Sequence, residues 1–147
     1  MKYFAYGSNM NPERMRDRGV LFKDRQYAVL KGWKLAFNKM ASDEGVGYAN
    51  IVKDESGVVE GIVYEIDQSG IDRLDQAEGC PTHYYRDIVV VKLDSGAEVE
   101  AVVYIANENK IDNNLKPTKA YLKHLLKGCD LLTKEYCEKL KKIETVD

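Results

Sequence analysis

Apolar and polar residues alternate with a period of two around Trp33 to Asn38, strand-like runs bounded by turn residues recur up to Ala106, and this pattern most restricts the fold. Such alternation sends successive side chains to opposite faces, which makes half-buried strands. Trp33, Leu35 and Phe37 share one face, with Lys34 and Asn38 on the other. Tyr48 to Val52 and Val58 to Ile66 read as two further strands, with Lys53 to Gly57 as the hairpin connection between them. Tyr84 to Leu93 and Glu98 to Ala106 form the clearest hairpin, turning at Asp94-Ser95-Gly96 after the polar turn Ser42 to Gly45 earlier in the chain. At the start, Lys2 to Tyr6 is a short apolar strand that runs into Gly7-Ser8-Asn9, a turn composition.

Helical spacing is found elsewhere. Asn11 reads as an N-cap with Pro12 at the first helical position, for a short helix through about Arg16 that Gly19 ends. Two amphipathic helices close the chain. The first spans about Thr118 to Lys127, with Tyr121 and Leu125 on one face, and stops at Gly128. Thr133 caps the second, where Tyr136, Leu140 and Ile143 form an apolar stripe and Leu132 and Cys137 occupy staple positions. Strands followed by helices make an α+β fold: a small, strongly curved or barrel-like mixed β-sheet with flanking α-helices, in one domain over residues 1–147.

Composition removes several functions. Hydrophobic residues at 44% and charged residues at 31% suit a soluble globular chain. A net charge of −2 argues against nucleic acid as the main partner. No apolar run approaches the roughly 18 residues of a membrane span, and Met1 to Ala5 does not read as a signal peptide. Cys80, Cys129 and Cys137 have no CxxC spacing, so reduced thiols in a cytoplasmic protein are expected rather than a disulfide or a zinc site. Only His83 and His124 are available as imidazole bases or ligands. Ten tyrosines against three phenylalanines make a phenol-rich chain, in which buried hydroxyls need partners.

The segment Gln68 to Gly79 carries the best chemical clue. Ile71 and Leu74 are spaced i, i+3 on a helix, and Glu78 follows Leu74 at i+4, so its carboxylate lies on the buried stripe. Asp72, Arg73 and Gln76 take the wet face. Gly79 and Pro81 place Glu78 in the last turn, where the helix dipole disfavours negative charge. Both effects predict a raised pKa, which suits a proton shuttle. The alternative is that the helix end frays and Glu78 reaches water. Tyr6-Gly7-Ser8-Asn9 is the second candidate, a strand-to-helix turn whose amide N–H groups can meet an anion. Ser8 lacks the G-x-S-x-G elbow of a nucleophile, and Cys80 beside His83 has acids rather than cations as sequence neighbours.

Tyr3-Phe4-Ala5-Tyr6-Gly7-Ser8-Asn9, together with Leu74-Asp75-Gln76-Ala77-Glu78-Gly79, resembles the γ-glutamylcyclotransferase family, as do Val58 to Ile66 and Glu135 to Leu140. The resemblance implies a barrel-like sheet with flanking helices, no metal or cofactor, and conversion of a γ-glutamyl amino acid or amine to 5-oxoproline with release of the amine. It assigns catalysis to Glu78 and substrate binding to Tyr6, Gly7, Ser8, Asn9, Tyr85, Tyr104 and Tyr121. The implied partner is a small γ-glutamyl molecule, and a homodimer is the oligomeric state it suggests. The likeness is lowest over Asn107 to Lys116, so the leaving amine is not implied. Two alternatives stay open: a non-catalytic small-ligand-binding module on the same fold, and an enzyme that removes a γ-glutamyl protecting group from a natural product.

Overall fold

The computed structural model describes residues 1–147. Five strands form its sheet: β1 (Lys2–Ala5), β2 (Arg25–Met40), β3 (Gly47–Glu65), β4 (Tyr84–Leu93) and β5 (Glu98–Ala106). They close into a barrel in the order β1-β3-β2-β4-β5. β1 runs antiparallel to β3 and parallel to β5, where Tyr3 faces Val102, so the sheet is mixed. Four helices accompany it: α1 (Pro12–Asp17), α2 (Gln68–Glu78), α3 (Lys119–Leu126) and α4 (Lys134–Lys141). No helix is long and apolar enough to cross a membrane.

The period-two pattern divides the burial into two cores. Phe4 and Tyr6, with Val63 and Val103, belong to one cluster, while Tyr3, Ala5, Ile62 and Tyr64 belong to another that also takes in Leu74, Leu125 and Leu140 of the helices. Alternate residues of the same strands therefore serve opposite faces, and the helices cover one of them.

The helix starts follow capping chemistry. Asn11, Asp67, Thr118 and Thr133 each accept a hydrogen bond from an amide N–H in the first turn of α1, α2, α3 and α4. Glu60 of β3 ties α4 to the barrel, accepting from the Thr133 amide at 2.9 Å and from its hydroxyl at 2.8 Å.

Three expectations are corrected. Lys53 to Gly57 is not a hairpin: β3 continues past it, pairing with β2 through Trp33↔Lys53 before and Lys31↔Val58 after. Residues 54 to 57 bulge out opposite Gly32, and Ser56 donates twice to Asp54 to hold them. Such a bulge has the polar, glycine-bearing composition of a turn without reversing the chain. Asn38 is buried rather than wet, donating to Asn113 and accepting from Asn50, each at 3.1 Å. Finally, Cys129 and Cys137 form a disulfide with Cα atoms 5.9 Å apart. The turns after α3 bring them together although their sequence spacing matches no redox motif; Cys80 remains a free thiol.

Candidate active site

Glu78 ends α2, and its helix decides where the carboxylate goes. Ile71 and Leu74 are fully buried, while Asp72, Arg73 and Gln76 are exposed. Glu78 leaves the helix on the same side as Leu74, one turn earlier. Gly79 then adopts a left-handed conformation at φ +64°, and a Cβ there would lie 2.7 Å from Cδ2 of His83. Glycine at 79 thus lets the helix stop directly after Glu78 with His83 folded against it.

The Glu78 side chain is 18% exposed. Asn9 Nδ2 donates to its Oε1 at 3.3 Å, and Arg18 Nη1 lies 3.5 Å from the same oxygen. Asn9 holds the cluster together. Its Nδ2 also donates to the Tyr3 hydroxyl at 2.9 Å, its Oδ1 accepts from Arg18 at 3.0 Å, and its carbonyl accepts from Tyr64 at 2.6 Å. Burial pushes the Glu78 carboxyl above its ordinary range, and outweighs the opposing pull of Arg18, Arg14 and Lys39. Loss of water, more than the helix dipole, is therefore the main cause of the rise.

β1 delivers Tyr6, Gly7, Ser8 and Asn9 to the same place. Residues Ser8–Met10 make a 3-10 turn closed by Met10 N–H to Gly7 carbonyl at 3.0 Å and Asn11 N–H to Ser8 carbonyl at 3.1 Å. The turn itself supplies no acceptor for the amides of Gly7, Ser8 and Asn9. Gly7 permits close packing, since a Cβ there would lie 3.0 Å from Ala49 Cβ and 3.5 Å from the Tyr121 hydroxyl. Ser8 Oγ accepts from Arg14 Nε at 3.0 Å, and His124 is bonded to Asn11 at 3.0 Å, so no base addresses the serine. His83 Nδ1 is 3.0 Å from Lys39 Nζ, and no hydrogen bond joins the ring to the free Cys80 thiol.

Tyrosines wall the recess between Glu78 and the loop. Tyr3, Tyr6, Tyr84, Tyr104 and Tyr121 line a cavity of about 30 Å³ with Gly7, Asn9 and Glu78. Ser8, Glu78, Tyr84 and Tyr121 also border a wider cleft of about 660 Å³ that opens outward. The phenols are held within the protein. Tyr6 donates to the Tyr104 carbonyl, Tyr84 to the Ala49 carbonyl at 2.9 Å, and Tyr104 to Asp75 of α2 at 2.7 Å. Tyr121 accepts from the Ala49 amide at 3.1 Å.

Tyr85 is the one expected residue not brought to the recess. It is 40% exposed and faces outward beside Thr82 and Asn107, because neighbouring residues on β4 point to opposite sides. Its place is taken by Tyr84. Tyr84→Phe is expected to lower stability by about 1–3 kcal/mol, because the buried Ala49 carbonyl loses its donor, and Tyr85→Phe by under about 0.5 kcal/mol. Urea unfolding of both variants checks this, and equal losses would contradict the orientation.

Arg18, Tyr3 and Tyr84 escaped the sequence reading. Arg14 and Arg18, at i, i+4 on α1 and its cap, were the available signal: two cations on one face toward the loop. No group of three or more His, Cys, Asp or Glu residues is gathered to hold a metal ion.

Comparison with known proteins decides the family. The model of the family described as "Gamma-glutamyl cyclotransferase, AIG2-like" matches residues 3–123. The chain belongs to the γ-glutamyl cyclotransferase, AIG2-like family. It is 32% identical to the γ-glutamylcyclotransferase of Mus musculus, over 97% of this chain and 78% of that protein. The human γ-glutamylcyclotransferase is likewise 32% identical, over 99% of this chain and 79% of its own length. A solved γ-glutamyl cyclotransferase structure superposes with a TM-score of 0.87 at 29% identity, covering 100% of this chain and 89% of the other. The barrel with flanking helices is therefore the family fold, and the chain is an enzyme of the γ-glutamylcyclotransferase type.

Proposed function

We propose that this γ-glutamyl cyclotransferase converts a γ-glutamyl amino acid or amine to 5-oxoproline and the free amine, with Glu78 moving the proton. The observation that carries the reading is a largely buried carboxylate bordering both the tyrosine-walled recess and the open cleft. The substrate brings its own nucleophile. Glu78 takes a proton from the α-ammonium, and the amine attacks the γ-carbonyl to form a five-membered ring. Glu78 returns that proton to the leaving nitrogen, takes the second from the ring nitrogen as the carbon–nitrogen bond breaks, and passes it to the departing amine, which leaves a neutral lactam and an ammonium. Atoms and charge balance without a co-reactant.

Holding the substrate folded supplies a high effective concentration of the amine, so no protein nucleophile is needed. The amides of Gly7, Ser8 and Asn9 meet a negatively charged substrate oxygen, either the developing oxyanion or the α-carboxylate. An oxyanion role would be worth about 3–4 kcal/mol. Tyr6, Tyr104 and Tyr121 shape the recess; a bonded phenol adds no charge. Incubation with γ-glutamyl-alanine is expected to release 5-oxoproline and alanine. Failure to form 5-oxoproline from any γ-glutamyl compound would favour a binding module instead.

Because Glu78 must start as the base, kcat/KM is expected to fall as pH drops through its raised pKa, giving an acid limb above the ordinary carboxylate value of 4.5. Arg18→Met removes a cation that holds the pKa down, so that limb should move to higher pH. A pH–rate profile unchanged by this substitution would disconnect Arg18 from Glu78.

A further inference from the structure

Arg14 is half-buried, and none of the ion pairs of the chain includes it. Its Nε donates to Ser8 Oγ at 3.0 Å. Its Nη1 also stands 3.5 Å from His124 Nε2, but the ring is turned the wrong way to accept there. Asn11 Oδ1 accepts from the Glu13 amide at 3.1 Å, so Asn11 Nδ2 is the group that faces His124 Nδ1 at 3.0 Å. A neutral imidazole that accepts at Nδ1 carries its hydrogen on Nε2 and has no lone pair left for Arg14. Arg18, one turn further on, is engaged by Glu78 and Asn9, whereas Arg14 has the serine alone.

Ser8 is 8% exposed and lines the wide cleft together with Glu78. A guanidinium nitrogen only donates, so Ser8 Oγ turns a lone pair to Arg14 and its hydrogen elsewhere. Within the protein that hydrogen can turn to the Tyr121 oxygen, which already accepts from the Ala49 amide at 3.1 Å; a carboxylate is the stronger acceptor. A hydroxyl whose oxygen accepts from a cation is also a better donor, because the two bonds polarise each other. Behind the loop there is thus a positive charge with no carboxylate of its own, coupled to a hydroxyl that faces the cleft. A permanent charge matches a permanent anion, and the glutamyl part of the substrate carries one, its α-carboxylate. The α-ammonium is bonded to the same carbon, so the group that reads the carboxylate must border the same cavity as the acid that takes the proton. Ser8 does so, and Asn9 beside it donates to Glu78 at 3.3 Å.

We propose that Arg14 is a positioning residue: it fixes the Ser8 hydroxyl as a donor to the α-carboxylate of the substrate, and it acts on the reaction through Ser8. The inference rests on the cyclotransferase reading and refines it, since of the two substrate oxygens open to the loop it gives the carboxylate to Ser8. Arg14 itself does not border the cleft, so its charge reaches the substrate through the serine and not by contact.

The test measures alanine release from γ-glutamyl-alanine and from its analogue with a carboxamide in place of the glutamyl α-carboxylate. The carboxamide also changes the basicity of the attacking amine, so the quantity compared between enzymes is the ratio of the two kcat/KM values. Ser8→Ala and Arg14→Met should each shrink that ratio by about tenfold or more, the scale of one hydrogen bond to a charged group. The double variant should shrink it no further than Ser8→Ala alone, because the two residues act as one unit. Arg14→Lys, whose ammonium still donates to Ser8 Oγ, should retain most of the ratio. The reading from Ser8→Ala does not depend on how Arg14→Met folds. An equal loss on both substrates in Arg14→Met would make the arginine a prop for the loop and overturn the inference. An unchanged ratio in either single variant would overturn it as well, and so would a further drop when Arg14→Met is added to Ser8→Ala. Failure of the parent enzyme to form 5-oxoproline from γ-glutamyl-alanine would overturn the cyclotransferase reading and this inference with it.

Discussion

Glu78→Gln is expected to lose about a thousandfold or more in kcat while the protein stays folded, the span that general acid–base catalysis typically supplies. Glutamine keeps the size of the side chain and its carbonyl can still accept from Asn9 at the position of Oε1. It cannot take a proton from an ammonium, so the loss isolates proton transfer from packing. The same substitution has an opposite effect on stability. A carboxyl whose pKa rises on folding holds its proton more tightly in the folded state. Stability is then full below the unfolded value and falls as pH rises through the folded one. At pH 7 the neutral amide escapes that penalty, so the variant should melt at or above the parent temperature. Single-turnover detection of 5-oxoproline and a melting curve check both halves. Substantial turnover in the variant would reject the shuttle.

Leu74→Ala should give the largest loss of stability among the site-bearing elements, about 2–5 kcal/mol, because a fully buried leucine leaves a cavity that its neighbours only partly fill. Leu74 sits one turn before Glu78 and anchors the helix that delivers it. Tyr104 adds a second anchor through Asp75. With Leu74 truncated, α2 should rock against the barrel, and kcat/KM should fall with no change in the chemistry of any polar group. Urea unfolding with an unchanged m-value would measure the first effect, and steady-state kinetics the second. A variant as stable as the parent would mean that α2 is held by its ends rather than by its buried face.

Much of the site was legible because its determinants lie close in sequence. The i+4 spacing from Leu74 turned Glu78 inward, and Gly79 ended the helix there. The N-caps Asn11 and Thr133 stand where the chain pattern places them. Tyr85 and Tyr84 illustrate the limit. Strand alternation says that one of them points in, but only the register of β4 against its neighbours says which. The residues around Lys53 to Gly57 have turn chemistry, yet pairing with a strand on both sides keeps them in β3 as a bulge.

From the order of residues alone came the α+β class, the helix boundaries, the inward acid and the Gly7-Ser8-Asn9 turn, since each depends on hydrogen bonds and burial periods spanning a few residues. Barrel closure decided the rest: the Asn9–Arg18–Glu78 cluster, the disulfide between Cys129 and Cys137, and the inward turn of Lys39. Those partners meet through register shifts and loop packing, whose energies belong to pairs of segments and have no signature in either segment by itself.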